Sequence, residues 1–240
     1  MKLRYLKGLF ETHDLHFVRA ENVFGDYWTI ELQIPYPMKW EAGQHGAFTL
    51  PGKRVTGMPF RAFTVASAPS EKMILLGTHA RSPISSFKHT LTTMQKGDVV
   101  RIRGPLGWFV VRDATSPIVL LAMGVGITPA RSILYSLKDD MTRPLILVHT
   151  SSDFHLFSEE LKALEKNNSQ MQLAFVQDRE QFRQSYTSAV ATYGQTALYY
   201  VSGASHSVRS VKKALKGLGI KGNRIITEGF MGYHAPKRTK

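Results

Sequence analysis

The sequence contains no cysteine among its 240 residues. This absence excludes disulfides, thiolate-ligated zinc, ordinary cysteine-ligated iron–sulfur clusters and a catalytic thiol. Long apolar runs are also lacking, so no membrane-spanning helix is expected, and the N-terminus does not resemble a secretory signal. We therefore expect a cytoplasmic protein. The nine histidines show no metal-ligand spacing, so no metal site is predicted, and His89, His149 and His206 are interpreted as structural or surface residues.

Acidic residues are in short supply. The 18 acidic side chains face 31 basic ones, which gives a formal charge of +13. A surface of this kind favours an acidic partner, such as an acidic protein or an anionic membrane, although solubility alone also accounts for it. Nucleic acid is not expected, because no recognised nucleic-acid motif accompanies the charge. One basic cluster is either a partner surface or a solvated helix face: Lys212, Lys213, Lys216, Lys221 and Arg224.

The first half of the chain has the pattern of an antiparallel β domain. Residues 27–34 alternate, with Trp28, Ile30, Leu32 and Ile34 on one face. Further short strands, separated by Gly and Pro, are predicted at 47–50, 63–66, 73–76 and 99–103, and one helix at 86–94. Such spacing is typical of a closed antiparallel barrel or a sandwich.

The second half alternates between continuous apolar runs and helical patterns. Strands buried on both faces are predicted at 118–122, 145–148, 173–176 and 197–201, with a fifth at 224–226. Helices are predicted between them, at 129–138, 158–166, 181–191 and around 208–218. This order predicts βαβ units in a doubly wound parallel sheet. We therefore predict a β-barrel domain at 1–112, an α/β domain at 113–240, and a hinge near 111–116.

The turn after the first buried strand carries Gly124-Val125-Gly126-Ile127-Thr128-Pro129. Glycines at the carboxyl end of a parallel strand let the backbone approach a pyrophosphate, and the following helix offers free N–H groups. Thr128 is suited to cap that helix and Pro129 to lie in its first turn. The third small residue of the usual dinucleotide fingerprint is absent, and an ordinary structural turn is the alternative.

A second motif, Arg61-Ala62-Phe63-Thr64, lies in a predicted strand. A guanidinium binds a pyrophosphate through paired hydrogen bonds. A flat aromatic ring suits stacking on a flavin, and a hydroxyl suits a hydrogen bond to a ring nitrogen. Alternation places Arg61 and Phe63 on one face and Thr64 on the other, unless the chain twists along a ligand. An ordinary strand with an exposed arginine is the alternative.

Taken together, the motifs resemble the ferredoxin–NADP reductase superfamily, which joins an FAD-binding barrel to a pyridine-nucleotide domain in this order. Arg61–Thr64 matches its Arg-x-Tyr/Phe-Ser/Thr flavin motif, and Gly124–Pro129 matches its Gly-x-Gly-x-x-Pro motif. The segment from Ser85 to Gly107 resembles its second FAD segment, and Glu228–Tyr233 resembles its C-terminal segment. The resemblance covers about residues 12–233.

The resemblance implies roles for individual residues. The implied FAD-binding residues are Arg61, Ala62, Phe63, Thr64, Ser85, Ser86 and Phe87, with Phe230 or Tyr233 covering the other flavin face. The implied nicotinamide-nucleotide residues are Gly124, Gly126, Thr128, Pro129, Ser151, Ser152 and Gly203. The implied catalytic residues are Thr64 beside flavin N5, Ser202 beside the nicotinamide, and Glu228 in proton handling, for which a surface carboxylate is the alternative.

Departures from the family pattern leave several points open. Ser202 stands where relatives often carry cysteine, which leaves the nicotinamide side less certain than the flavin side. The sequence does not distinguish NADH from NADPH, because Ser151 and Ser152 would tolerate a 2′-phosphate whereas Asp153 would repel one if it pointed inward. Asp178 and Arg179, which are later candidates, give the same conflicting indications. We expect an FAD-dependent oxidoreductase that exchanges electrons between NAD(P)H and an acidic ferredoxin or flavodoxin. The alternatives are an NAD(P)H-dependent reductase of free flavin, ferric chelates or quinones, and a basic nucleotide-sensing protein that binds nucleic acid or an anionic membrane and is not an enzyme.

Overall fold

The computed structural model describes Gly8 and residues 10–230. Two compact units are present. The first comprises the described residues up to Arg112 together with Arg131–Lys138, and the second comprises Asp113–Ala130 and the described residues from Asp139 onward. The division into independent domains at 1–112 and 113–240 stays a prediction. No helix in the described part of the chain has both the length and the hydropathy that a membrane crossing requires.

The first unit is built on one six-stranded antiparallel sheet. Its strands are β1 (Thr12–Phe24), β2 (Tyr27–Gln33), β3 (His45–Thr49), β4 (Phe60–Thr64), β5 (Met73–His79) and β6 (Val99–Leu106), and its one α-helix among the described residues is α1 (Ser86–Thr92). The strand order is β4-β3-β6-β1-β2-β5. The amide of Ala66, just beyond β4, donates to the carbonyl of Leu75 in β5 at 2.8 Å, so the two ends of the sheet approach each other. The predicted antiparallel domain is confirmed.

Apolar side chains from every strand and from α1 meet in one core. Ile30 and Leu32 of β2 are fully buried, as the alternating pattern predicts, and Phe48, Phe87 and Ile102 join them. Burying such side chains provides the main favourable free energy of folding, at about 25 cal/mol per Å² of apolar surface. The core therefore fixes the positions of β4 and α1, the two elements that carry the predicted flavin motif.

The strand β1 is absent from the sequence-based prediction, although its 13 residues make it the longest strand described. It pairs with both β2 and β6. Only Leu15 and Phe17 are buried along it, and the other positions carry many charged or polar side chains. Apolar periodicity is therefore too weak to reveal this strand, because its stability comes from ladder hydrogen bonds on both sides.

The second unit contains a five-stranded parallel sheet. Its strands are β7 (Ile118–Met123), β8 (Leu145–Thr150), β9 (Met171–Val176), β10 (Leu198–Ala204) and β11 (Ile225–Phe230). The helices that follow successive strands are α2 (Ile127–Ser136), α3 (Ser158–Asn167), α4 (Arg179–Tyr193) and α5 (Ser205–Gly217). The residues of α2 from Arg131 onward belong to the first unit. The strand order is β11-β10-β7-β8-β9, which confirms the predicted doubly wound sheet. The order reverses between β7 and β10, and ligands of such sheets bind beyond the carboxyl ends of the strands at that switch point.

A buried ion pair stabilises the first unit. Arg131 is 3% exposed. Its guanidinium donates to both carboxylate oxygens of Glu71 at 3.0 Å and to the carbonyl of Ala66 at 2.8 Å, and it lies over the ring of Tyr135 at 4.1 Å. Glu71 also accepts from the amide of Ala68 at 2.6 Å. Because each charge is satisfied by the other, removal of either one leaves a buried charge without its partner.

We predict that Arg131→Met lowers the free energy of unfolding by about 3–5 kcal/mol, the cost of breaking a buried pair from one side. Urea denaturation measures the difference. The control is Arg183→Met, which breaks a solvent-exposed pair with Glu180 and costs about 0–1 kcal/mol. Equal small losses in both variants would show that the Arg131 pair does not stabilise the unit.

Candidate functional site

The turn that follows β7 has the geometry that close approach to a ligand requires. Gly124–Gly126 form a short 3-10 turn, and Gly124 has φ 55°, in the left-handed region. The helix α2 begins directly after it, at Ile127. Glycine reaches this conformation without steric cost, whereas most residues do not. The predicted strand, glycine turn and helix are therefore present in that order.

Two glycines bring the carboxyl ends of β7 and β10 unusually close together. A Cβ on Gly126 would lie 2.4 Å from the carbonyl oxygen of Ser202, and one on Gly203 would lie 2.8 Å from the carbonyl oxygen of Met123. Gly203 also has φ 141°. Both positions exclude any other residue without a backbone shift, so the predicted glycines are required at the switch point of the sheet.

Two predicted hydroxyls bond within the protein at this turn. Ser202 is 1% exposed, and its Oγ donates to the carbonyl of Gly126 at 2.7 Å. Thr128 is 2% exposed, and its Oγ1 donates to the carbonyl of Val125 at 2.9 Å. Both hydroxyls therefore stabilise the turn. The predicted role of Ser202 beside the nicotinamide stays a prediction.

The predicted helix cap is wrong in detail. Because α2 begins at Ile127, Thr128 is its second residue and lies inside it. Pro129 lies in the first turn of the helix, as predicted, where its missing N–H costs no helical hydrogen bond.

The C-terminal strand places Glu228 beside Ser202. The two residues are partners in the parallel register of β10 and β11, and Glu228 is partly buried. The carbonyl of Phe230 accepts from the Ser205 hydroxyl at 3.0 Å. The predicted functions of Glu228 and Phe230 stay predictions, and Tyr233 lies outside the described residues.

The segment after β8 contains the predicted ribose-binding residues. The hydroxyls of Ser151 and Ser152 lie 3.5 and 3.4 Å from Oδ1 of Asp153, and the amide of Phe154 donates to the same oxygen at 3.1 Å. The hydroxyls of Ser151 and Ser152 therefore lie close to the Asp153 carboxylate and stabilise it. Asp178, the later candidate, caps α4 by accepting from the amide of Gln181 at 2.8 Å.

In the first unit, the side chain of Arg61 is half-buried on β4 and donates to the carbonyls of Met58 and Phe60 at 3.2 and 2.9 Å. Its guanidinium carbon lies 5.8 Å from the centre of the Phe87 ring. The ring of Phe63 is 9% exposed and packs against Phe48 and Phe87, with centroids 5.7 and 6.2 Å away. Phe63 and Phe87 thus belong to the core, and flavin stacking by Phe63 stays a prediction, as does contact by Ala62, which is exposed.

The side chain of Thr64 is the polar group of this motif that best indicates a ligand site. It is 5% exposed, and its Oγ1 is buried with no hydrogen-bond partner among the described residues. Phe63 and Thr64 are both buried, so the strict alternation expected along β4 fails at its end. Burial of an unsatisfied hydroxyl costs about 1–3 kcal/mol, and a ligand that accepts from it recovers that cost.

The start of α1 positions the remaining predicted flavin residues. Ser85 is the N-cap and accepts from the amide of Lys88 at 3.4 Å. The hydroxyl of Ser86 accepts from the amide of Thr56 at 3.1 Å. Ser85 therefore caps α1, and Ser86 binds backbone of the segment between β3 and β4. Phe87 is fully buried.

Lys88 is a candidate that sequence reasoning missed. Its Nζ donates to the carbonyl of His79 at 2.7 Å. Burial, with a smaller contribution from repulsion by Arg61, lowers the pKa of Lys88 to about 8. Two cations that repel each other in a partly buried region favour an anion between them. The sequence did offer one indication of Lys88, because it lies three residues after Ser85 and therefore about one helical turn further along.

These residues fit a flavin nucleotide. The orphaned Thr64 hydroxyl suits a ring heteroatom, and Arg61 with Lys88 suits a diphosphate. The apolar side chains Met58 and Phe60, which precede Arg61, are 55% and 43% exposed, as expected of side chains that a ligand covers.

A known family of domains matches part of the second unit. Residues 120–208 match the family described as the oxidoreductase NAD-binding domain. This range includes the glycine turn, the segment after β8, and Ser202 and Gly203.

A flavohemoprotein of Bacillus cereus is 26% identical to this chain over 223 residues, which cover 86% of the chain and 52% of the relative. The flavohemoprotein of Bacillus subtilis is 26% identical over 216 residues, which cover 82% and 52%. The chain therefore spans about half the length of the curated relatives it matches.

Among solved structures, a ferredoxin NADP+ reductase from Neisseria gonorrhoeae with bound FAD and NADP matches with a TM-score of 0.74 and 17% identity, over 91% of this chain and 98% of that one. This match shows that the two chains share a fold.

We predict that Gly126→Ala lowers the free energy of unfolding by about 1–3 kcal/mol, because its methyl group would overlap the Ser202 carbonyl, and weakens binding of NADH or NADPH. Chemical denaturation and nucleotide fluorescence measure the two effects. Gly217→Ala is the control, since no atom lies within 4 Å of its added Cβ. Unchanged nucleotide affinity in a folded Gly126→Ala variant would remove the turn from the binding site.

We also predict that Thr64→Val leaves the FAD-free protein as stable as the original or more stable, because it removes an unsatisfied hydroxyl. The variant should bind FAD more weakly. Thr78→Val is a matched control, because the Thr78 hydroxyl is also buried without a partner among the described residues. Urea denaturation with and without FAD separates the two outcomes, and equal FAD affinity in both variants would contradict a ligand role for Thr64.

Proposed function

We propose, from the premise that this chain is similar in fold and in its nucleotide-binding segment to the ferredoxin–NADP reductase superfamily, that it is an FAD-dependent oxidoreductase using NADH or NADPH. The observation that carries the proposal is the buried Thr64 hydroxyl without a partner among the described residues, at the end of the Arg61–Thr64 motif. The predicted enzyme class and cofactors agree with the family match and with the relatives, one of which was solved with FAD and NADP.

The chain positions the cofactor, which supplies the reaction. When bound, FAD would supply the capacity to accept a hydride from the reduced nucleotide and to release electrons to an acceptor. Arg61 and Lys88 would hold and neutralise its diphosphate, and the Thr64 hydroxyl would donate a hydrogen bond to the flavin ring. The glycine turn holds the nicotinamide nucleotide beside backbone N–H groups, and Ser202 keeps that turn in place through its bond to Gly126.

The electron acceptor in this proposal is a separate acidic carrier, such as a ferredoxin or flavodoxin. The charge of +13 supports it. On the surface that includes α5, Lys213, Lys216 and Lys221 are exposed, whereas Arg224 is partly buried and donates to the Ser116 hydroxyl at 3.2 Å. The exposed lysines therefore suit an acidic partner better than Arg224 does.

A second acceptor is a haem group. The likeness to flavohemoproteins over 86% of this chain favours it. Reductases of free flavin, ferric chelates and quinones share the same first half-reaction, so the acceptor has to be tested directly.

Steady-state turnover of the FAD-loaded protein with NADH or NADPH separates these acceptors. We expect reduction of ferricyanide in every case, and salt-sensitive reduction of an acidic ferredoxin or flavodoxin because exposed charges are screened. Faster reduction of a haem protein with no salt dependence favours the second acceptor. The absence of turnover with every acceptor, ferricyanide included, argues against the proposed function itself.

The pKa of Lys88 gives a test of the diphosphate site. Below about pH 8 Lys88 is charged and attracts the diphosphate, and above that pH it becomes neutral. FAD affinity should therefore fall as pH rises through about 8, and Lys88→Met should bind FAD more weakly at neutral pH without that dependence. Flavin fluorescence quenching measures the affinity. Lys96→Met, an exposed control, should behave like the original, and an identical pH profile for Lys88→Met would contradict this role.

A further inference from the structure

A buried histidine joins the glycine turn to the segment after β8. His149, at the carboxyl end of β8, is 0% exposed. Its Nε2 lies 2.9 Å from the carbonyl oxygen of Gly124, and its Nδ1 lies 3.1 Å from Nδ1 of His155. Both histidine rings pack edge-on against Phe175, with centroid distances of 6.0 and 5.3 Å. The two rings therefore have one arrangement relative to the turn.

The Gly124 carbonyl determines which ring nitrogens of His149 and His155 carry a proton. A carbonyl oxygen only accepts, so Nε2 of His149 carries the proton and donates to it. Burial lowers the pKa of His149 to about 3, so the ring is neutral near pH 7 and its Nδ1 holds a lone pair. That lone pair accepts from Nδ1–H of His155, and in neutral His155 the remaining nitrogen, Nε2, is an acceptor.

The neighbouring charges keep His155 in this form. Burial lowers the pKa of His155, and the positive charge of Lys162 lowers it further, against a smaller opposite effect of Asp153. Lys162 is paired with Glu159 at 3.0 Å. Near neutral pH the chain of donors thus runs from His155 through His149 to Gly124.

The segment after β8 consequently offers hydrogen-bond acceptors to a ligand. Asp153 is a carboxylate to which Ser151 and Ser152 are directed, and His155 adds the lone pair of Nε2. A ribose 2′-hydroxyl can donate to such groups, whereas a 2′-phosphate brings negative charge and further acceptors. In doubly wound sheets an acidic residue in this region of the sequence binds the ribose 2′-hydroxyl of NAD.

We propose that His149 and His155 form a hydrogen-bond relay that positions the glycine turn and leaves His155 as an acceptor for the adenosine ribose, so that the protein selects NADH over NADPH. The relay assigns a positioning role to His149 and a specificity role to His155. It rests on the proposed function, because it presumes that a nicotinamide nucleotide binds at this sheet edge.

Nitrogen-15 NMR of the histidine rings in the FAD-loaded protein tests the relay without turnover. Near neutral pH we expect a proton on Nε2 and none on Nδ1 of His149, with the opposite arrangement in His155. A proton on Nδ1 of neutral His149, or on Nε2 of neutral His155, would overturn the relay.

Binding of NADH and NADPH to the FAD-loaded protein tests the specificity. We expect NADH to bind about tenfold more tightly or better, the factor of one hydrogen bond to a charged group. His155→Lys replaces the acceptor with a cation and should move the ratio toward NADPH by a similar factor. Gln172→Lys adds the same charge at an exposed position near the amino end of β9. That position is at the opposite end of the strands from the proposed nucleotide site, so this variant should leave the ratio unchanged.

His149 is tested by a pair of variants. His149→Gln retains an N–H that can reach the Gly124 carbonyl, whereas His149→Phe retains the ring shape alone. We expect the Phe variant to raise the Kd of both nucleotides severalfold and the Gln variant to recover most of that loss, with FAD affinity unchanged in both.

Equal or tighter NADPH binding by the original protein, a ratio moved alike by His155→Lys and Gln172→Lys, or equal Kd values for His149→Gln and His149→Phe would each overturn the inference. In those cases the proposed function stands, because nucleotide still binds. Binding of neither nucleotide would instead contradict the proposed function.

Discussion

The close approach of β7 and β10 at their carboxyl ends is the constraint on which the nucleotide side of this protein depends. No Cβ fits at Gly126 or Gly203. Because the two strands meet so closely, the Ser202 hydroxyl of β10 reaches the Gly126 carbonyl. From β8, on the other side of β7, His149 reaches the Gly124 carbonyl. Two carbonyls of the turn are thus held from neighbouring strands, and the conformation of the turn is set before any ligand arrives.

The residues proposed to bind the flavin show the opposite condition, because hydrogen bonds and opposite charges within the protein do not fully satisfy their polar groups. The Thr64 hydroxyl is buried without a partner among the described residues, and burial and the charge of Arg61 lower the pKa of Lys88, which disfavours its charged form. Both conditions cost folding free energy, and a bound diphosphate and flavin ring would reverse both. Unsatisfied groups of this kind concentrate at ligand sites, which is why this motif supports the assignment more strongly than its sequence alone.

Much of the fold could be predicted because apolar runs leave a simple pattern. The runs at 118–122 and 145–148 are apolar and buried, as predicted. The run at 173–176 is apolar but only partly buried, because β9 lies at the edge of the sheet. The strand β1 was not evident, because its neighbours satisfy its backbone while its side chains stay polar. Local pattern reveals elements stabilised by apolar burial and misses those stabilised by pairing.

Residue identity in the candidate site was easier to predict than the partner of each side chain. The positions of Arg61, Thr64, Gly126 and Ser202 follow from motifs. The hydrogen bond from Ser202 to Gly126, however, joins two residues that are 76 positions apart in the sequence. His149 was interpreted as a structural or surface residue, since no spacing in the sequence indicates that β8 places its ring against Gly124 and beside His155. Such contacts arise only from the register of the assembled sheet.

Anaerobic absorbance spectroscopy of the purified protein with FAD tests the central claim most directly. The account predicts flavin bands after reconstitution, which bleach on addition of reduced nicotinamide nucleotide, faster with NADH than with NADPH. A folded protein that FAD does not restore to a flavin spectrum, or whose bound flavin neither nucleotide reduces, would contradict it.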